Sequence, residues 1–319
     1  MSVERGIRYF PIAFFSSVMG VSGVAISLRL IESSYEMNNI MSNFMFGIAS
    51  LLFLVNAIIL IYRMIRYRGD VNEDFNHPVK MNFFGTISIS LLLLADLYYS
   101  IHPAFSFVIW GSGALLQGGL TLITLSKLIW VHEFTLPQFN ATWFIPIVGN
   151  IVVPIAGVYH VSLMINWIFF SIGVMFSIIY FTIYINRVFF QPPMPVKLMP
   201  THFILLAPPG IGFVSYIKLV EEVDIFAFII YGIAFYIGLL FIVQLKRFIT
   251  IPFFISWWAY LFPNAAVTNA TILLYIETGH SFLQIVSILQ VIGLIILTFY
   301  LIWRTVGLLR NGTLLVKEN

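Results

Sequence analysis

Residues 257–270 read Trp-Trp-Ala-Tyr-Leu-Phe-Pro-Asn-Ala-Ala-Val-Thr-Asn-Ala, which places a proline and two amides inside an apolar segment. Pro263 lacks the backbone N–H that a helix interior uses, and its ring crowds the preceding turn, so the pattern predicts a kinked helix. Within a membrane the freed carbonyl must be covered by neighbouring helices or face a water-filled cavity. Phe262 stands immediately before this break. The stretch therefore predicts a helix that lines a passage, with a bulky ring able to obstruct it.

Apolar segments recur along the whole chain of 319 residues, of which 60% are hydrophobic and only 9% are charged. A soluble domain carries roughly a quarter charged residues. Since a helix needs about 20 residues to cross a bilayer, the chain accommodates ten spans and is expected to form one all-α membrane domain over residues 1–319. The predicted spans are 9–29, 39–62, 80–101, 104–130, 142–160, 163–187, 199–219, 223–245, 252–276 and 281–308.

Basic residues divide unequally between the two sides of these spans. Every lysine and arginine except Arg29 and Lys218 falls on the side that carries both ends of the chain. By the positive-inside rule, that side is cytoplasmic. The sequence therefore predicts a multi-pass protein of the cytoplasmic membrane, with both termini in the cytoplasm.

Prolines concentrate in the odd-numbered spans. Pro146 and Pro154 lie in span 5, Pro208 and Pro209 in span 7, and Pro263 in span 9, whereas the interiors of the even spans contain none. Because each odd span joins the next even span by a short loop, the pattern predicts five helical hairpins. The odd helices, kinked at these prolines, are expected to form a central pore that the even helices shield from lipid. The alternative is that the kinks serve helix packing alone.

Three polar residues within the spans are candidates for the transport path. Asn150 and Asn269 are predicted as pore-lining amides, with interhelical hydrogen bonding as the alternative. Asp96, near the end of span 3, is either a titrating group or an interfacial, hydrogen-bonded carboxylate. The chain has no cysteine and no catalytic motif, and its histidines divide between the two sides. We therefore expect no metal, no cofactor and no enzymatic activity.

Several short motifs occur in an order typical of a known family. They are Tyr9-Phe10 with Met19-Gly20, His77-Pro78-Val79-Lys80, Pro146 to Asn150, Leu206-Ala207-Pro208-Pro209, and Trp257 to Pro263. By these motifs the chain resembles the tellurite-resistance/dicarboxylate transporter family, which includes bacterial TehA and the plant slow anion channels. The resemblance implies ten helices in five hairpins around a central pore, commonly in a homotrimer. It also implies a pore-blocking phenylalanine on the ninth helix, at the position of Phe262.

The function implied by this resemblance is passage of small anions across the membrane. Chloride, nitrate, or oxyanions such as tellurite or sulfite would cross a pore that Phe262 gates. The alternative is a proton-coupled carrier of C4-dicarboxylates such as malate, in which Asp96 would titrate. The expected partners are the anions, the lipid bilayer and further copies of this chain, with no nucleic acid. A receptor or enzyme without transport is disfavoured, because short loops leave no room for a soluble domain.

Overall fold

The computed structural model describes residues 6–131 and 134–316. Within those ranges the chain forms twelve α-helices joined by short connections. The helices are α1 (Phe15–Ser34), α2 (Ile40–Arg66), α3 (Arg68–Asn76), α4 (Gly85–Tyr99), α5 (Pro103–Trp130), α6 (Ile145–Gly157), α7 (Leu163–Phe190), α8 (Ala207–Val220), α9 (Ile225–Val243), α10 (Leu245–Ile249), α11 (Leu261–Thr278) and α12 (Ser281–Arg310). Ten of them belong to the apolar segments, while α3 and α10 are short connecting helices that the apolar pattern does not predict.

Nine of the helical segments in the described ranges are long and apolar enough to cross a membrane, and a tenth, Ala141–Gly157, is shorter. The all-α membrane fold is thereby confirmed, and the ten predicted spans are matched once this short segment is counted. The predicted fifth span, 142–160, extends too far. Its helix ends at Gly157, and the following residues form turns in which the N–H groups of Tyr159 and His160 donate to the carbonyls of Ala156 and Gly157.

Five helices, α1, α4, α6, α8 and α11, form a closed inner ring. Each contacts the next in that order, and α11 contacts α1. The remaining long helices, α2, α5, α7, α9 and α12, form an outer layer, and each packs against the inner helix that precedes it in the chain. The predicted five hairpins are therefore confirmed. Because one outer helix separates consecutive inner helices, all five inner helices run in the same direction.

Burial separates the two layers. In the inner spans 72–83% of the most apolar stretch is buried, and every residue of α6 is buried, whereas the figure is 22–39% in the outer spans. The outer helices present long rows of exposed leucine, isoleucine and phenylalanine side chains. In a bilayer such rows meet lipid tails, which solvate them as well as a protein core does. The even-numbered spans therefore face lipid, as the proline pattern predicts.

Glycines bring α1 and α11 into close contact. A Cβ on Gly20 would lie 2.8 Å from Cβ of Leu261, and one on Gly23 would lie 2.9 Å from Cβ of Ala265. Both separations are shorter than side-chain carbons tolerate, so only glycine allows the two backbones this approach. The contact fixes the helix that carries Phe262 against its neighbour in the ring.

Candidate functional site: the axis of the inner ring

A small cavity lies between the five inner spans and takes side chains from every one of them. Its volume is about 20 Å³, which admits about one water molecule. The lining is mostly apolar and contains no charged side chain. The lining residues are Ser16, Met19, Phe83, Thr86, Ile145, Val148, Ile204, Ala207, Trp258, Ala259, Phe262 and Pro263.

The two hydroxyl groups in this lining hydrogen-bond within their own helices. Ser16 Oγ donates to the carbonyl of Ala13 at 2.5 Å, and Thr86 Oγ1 donates to the carbonyl of Phe83 at 2.5 Å. Neither hydroxyl proton is free to solvate an ion in the cavity. The cavity is therefore small and apolar.

Phe262 lies in the first turn of α11 and is 4% exposed. Its ring lines the cavity and also approaches α1, since a Cβ on Gly23 would be 3.6 Å from its Cδ2. Gly23 therefore presents no side chain to this flank of the ring. Pro263, the next residue, lines the same cavity.

Each inner α-helix continues from a short 3₁₀ segment: Ile12–Phe14, Lys80–Phe84, Ala141–Phe144, Val196–Leu206 and Ile255–Tyr260 precede the five in order. Four of the five singled-out prolines lie just after such a junction. The first α-helical turn contains Pro146 in α6, Pro208 and Pro209 in α8, and Pro263 in α11. Only Pro154 lies in a helix interior, near the end of α6. The interruption of the inner spans is thus a change of helix type at the level of the cavity, and a bend of the helix axis at these prolines stays a prediction.

Asn150 and Asn269 make hydrogen bonds between helices. Asn150 Nδ2 donates to Thr121 Oγ1 of α5 at 2.8 Å, so its amide is directed to the outer layer, and it does not line the cavity. Asn269, two turns beyond Phe262, accepts a short hydrogen bond from Ser27 Oγ of α1. Both residues are almost fully buried. A role of either amide in ion passage stays a prediction.

Asp96 lies near the C-terminal end of α4, away from the cavity lining. Its carboxylate interacts electrostatically with Lys218 of α8 and Arg29 of α1. These are the two basic residues that the charge distribution sets apart from all others. The sequence pattern places the three residues on one side of the membrane but does not predict an interaction between them. Arg29 and Lys218 are the two basic residues predicted on that side of the membrane. This feature of the sequence could have been used to predict that they influence Asp96.

The geometry defines a class of protein: a multi-pass α-helical membrane protein whose ring of five inner helices closes around an apolar constriction. Residues 9–306 match the SLAC1 family, described as voltage-dependent anion channel, and the chain belongs to that family. The membership confirms the resemblance drawn from the short motifs.

Relatives of this chain include transporters and anion channels. The transporter MJ0576 of Methanocaldococcus jannaschii is 29% identical over 293 residues, covering 84% of each chain. The S-type anion channel SLAH2 of Arabidopsis thaliana is 26% identical over 282 residues, 82% of this chain and 52% of the plant protein. The tellurite resistance protein TehA homolog of Haemophilus influenzae is 22% identical over 296 residues, 90% of this chain and 89% of the relative.

Proposed function

We propose that this chain passes small anions along the axis of the inner ring and that Phe262 closes the path. One observation carries the proposal: Phe262 lines an apolar cavity shared by all five inner helices of a SLAC1-family protein. Chloride and nitrate are the substrates that fit best, because no fixed positive charge lines the cavity to trap an anion there. Oxyanions such as tellurite or sulfite are larger members of the same chemical class.

Closure of the path would result from the size of the Phe262 ring and from the poor hydration of the apolar constriction around it. A constriction with room for about one water molecule cannot keep the hydration shell of an ion, and its lining offers little in replacement. Rotation of the Phe262 ring towards the glycine surface of α1, or a shift of α11 at its 3₁₀ junction, would widen the path. Neither movement requires breaking an ion pair in the cavity.

Topology and assembly belong to the same proposal. The side that carries the N-terminal ends of the inner helices also carries the basic loops, so it would face the cytoplasm. The protein would then reside in the cytoplasmic membrane with both termini inside. The exposed apolar rows of the outer layer would meet lipid and, in part, further copies in a homotrimer.

A proton-coupled dicarboxylate carrier has less support. Such a carrier needs a titrating group on the transport path, and Asp96 is absent from the cavity lining. An anion channel or uniporter needs neither a proton site nor a second substrate.

Anion flux from liposomes that contain only the purified chain tests the proposal. Phe262→Ala removes the ring and leaves Pro263 in place, and loss of a barrier of about 3 kcal/mol would raise flux by about a hundredfold. Phe253→Ala is the matched control, since that ring packs against Trp257 and Tyr300 with centroids 5.8 and 6.4 Å away, outside the cavity. Equal flux from wild type and Phe262→Ala at matched incorporation would remove Phe262 from the mechanism.

A further inference from the structure

A groove lies at the C-terminal end of the outer helix α12, outside the inner ring. Its volume is about 210 Å³, about ten times that of the axial cavity. We call it the interfacial groove, and its lining residues are Trp303, Arg304, Gly307, Leu308 and Asn311. Within the described part of the chain, Arg304 is the one charged residue of this lining.

Aromatic rings hold the guanidinium group of Arg304 in place. Its Cζ lies 5.1 Å from the ring centroid of Phe253, 5.7 Å from that of Tyr300 and 6.0 Å from that of Trp303. Nη1 also donates to Tyr300 Oη at 3.0 Å. Such rings attract a cation without neutralising its charge. The position of the charge is therefore set before any ligand binds.

No carboxylate competes for Arg304 among the described residues, where it forms no ion pair. The 30 residues of α12 include no aspartate or glutamate, and the neighbouring stretch 250–262, which contains Phe253, includes none either. The guanidinium N–H groups that do not bond to Tyr300 are therefore available to an anion. The indole N–H of Trp303 and the amide of Asn311 are further donors on the wall of the groove.

An exposed apolar row on α12 indicates the depth of the groove in a bilayer. Its members recur every three or four residues, so they share one face of the helix. They are Ile285, Leu289, Ile292, Ile296, Phe299 and Trp303, each between 49% and 68% exposed. From the first to the last of them the helix rises by about 27 Å, close to the thickness of the hydrocarbon core of a bilayer. Trp303 therefore lies at the membrane interface, where tryptophan is enriched, and Arg304 lies at the level of the lipid headgroups.

The groove lies on the side of the molecule that carries the basic loops. The last turns of α12 pack beside the start of α11, where Trp258 Nε1 donates to Thr305 Oγ1 at 3.0 Å. In the topology proposed above, this side faces the cytoplasm. Cytoplasmic leaflets carry anionic phospholipids, whose charge is opposite to that of Arg304.

We propose that the interfacial groove binds the headgroup of an anionic phospholipid. The phosphodiester accepts charge-assisted hydrogen bonds from Arg304, and one acyl chain follows the exposed apolar row of α12. A lipid is favoured over a soluble phosphate because Trp303 belongs both to the groove and to this row. The proposal concerns lipid binding alone and does not depend on the passage of anions through the inner ring.

Lipid titration of the purified chain, followed by native mass spectrometry, tests the proposal. The probes are dioleoylphosphatidylglycerol, which is anionic, and dioleoylphosphatidylcholine, which has the same acyl chains and no net charge. Arg304→Gln should weaken phosphatidylglycerol binding about tenfold, because charge-assisted hydrogen bonds are lost, and should leave phosphatidylcholine binding unchanged. Arg310→Gln is the control: this arginine of the same helix is exposed and lies outside the groove lining, so the variant should bind both lipids as wild type does.

A second variant fills the groove and keeps its charge. A Cβ on Gly307 would have no neighbouring atom within 4 Å, so Gly307→Phe places a ring in open space on the groove wall. It should weaken phosphatidylglycerol binding about tenfold, as Arg304→Gln does. Gly293→Phe is the matched control, because a Cβ at that glycine of α12 also meets open space but lies outside the groove lining. If Arg304→Gln fails to fold, Gly307→Phe decides the question.

Several results would overturn the proposal. Wild-type affinity for phosphatidylglycerol in both groove variants, or equal retention of the two lipids by wild type, would show that the groove does not select an anionic headgroup. Displacement of phosphatidylglycerol by glycerol phosphate at equal concentration would assign the groove to soluble phosphates. A change of oligomeric state in Gly307→Phe that is independent of lipid would assign it to contacts between copies of the chain. None of these measurements involves ion flux, so the proposed function stands or falls separately.

Discussion

The closing element can be tested by moving the ring to another wall of the cavity. Val148 of α6 lines the same cavity as Phe262 of α11. The double variant Val148→Phe/Phe262→Val keeps one phenyl ring and one isopropyl group in the constriction but exchanges the helices that carry them. If closure depends only on the volume of the ring and on the poor hydration of the constriction, a phenyl ring on α6 should close the path as well as the ring on α11 does.

The expected magnitude follows from the size of the space. The cavity of about 20 Å³ admits about one water molecule, so removing most of a ring opens room for several more. Phe262→Val alone should lose a barrier of about 3 kcal/mol and gain flux of about a hundredfold. The flux of the double variant should return to within about tenfold of the wild-type flux. That tenfold difference corresponds to a barrier about 1.4 kcal/mol lower than in wild type, which we attribute to less complete packing of the new ring.

Chloride efflux from liposomes at matched protein incorporation is the appropriate assay. Val148→Phe alone should stay closed, with melting lowered because overpacking a buried site costs about 1–3 kcal/mol. Ile178→Phe in the Phe262→Val background is the control: Ile178 lies on the outer helix α7 and is 64% exposed, so a ring there cannot reach the cavity. That control should conduct as Phe262→Val does.

One result would refute this reasoning. If the folded double variant conducts as strongly as Phe262→Val, a ring on α6 cannot replace a ring on α11. Closure would then depend on where Phe262 sits, opposite Gly23 of α1 and beside Pro263, rather than on the volume that it fills.

Two further predictions concern stability. Asp74→Ala should lower the free energy of unfolding by about 3 kcal/mol, because it removes the carboxylate that lies 2.8 Å from Arg63, whose side chain is only 4% exposed. Asp70→Ala is the control, since the arginine of that ion pair is 49% exposed. It should lower the free energy of unfolding by less than about 1 kcal/mol in the same melting experiment. Burial lowers the pKa of His160, so below its unfolded pKa of about 6.5 the unfolded chain binds more protons and stability falls as the pH falls. Melting of wild type at pH 5 and pH 8 should show that loss, and His160→Gln should reduce it; equal pH dependence in both proteins would contradict the assignment.

Local patterns in the sequence predicted the architecture. Apolar segments separated by short polar connections gave the number of membrane-crossing elements, and the limited reach of short loops gave the five hairpins. Prolines such as Pro154 and Pro263 distinguish the inner helices from the outer ones in the sequence alone. These features depend on residues close together in the chain, so a single sequence is enough to read them. The early end of α6 at Gly157 was missed, because the apolar pattern continues beyond it through Val158 and Tyr159.

The contents of the site were harder to predict, because the inner helices are apolar on every side. A helix in water reveals its buried face through amphipathic spacing, but a helix enclosed by other helices carries no such stripe. Asn150 and Val148 are two residues apart on the same buried helix, yet one bonds to α5 and the other lines the cavity. Only the packing of the ring determines which side chain faces the axis.

The sequence by itself therefore determined the membrane class, the hairpin order and the charge asymmetry, since hydrophobicity, loop length and charge act locally. Tertiary structure alone decided that Phe262 enters a cavity shared by five helices and that Ser27 of α1 bonds to Asn269 of α11. The physical reason is that these groups lie on helices separated by long stretches of chain. Their meeting depends on how the ring closes, and glycines such as Gly23, opposite Ala265, allow the close approach of α1 and α11.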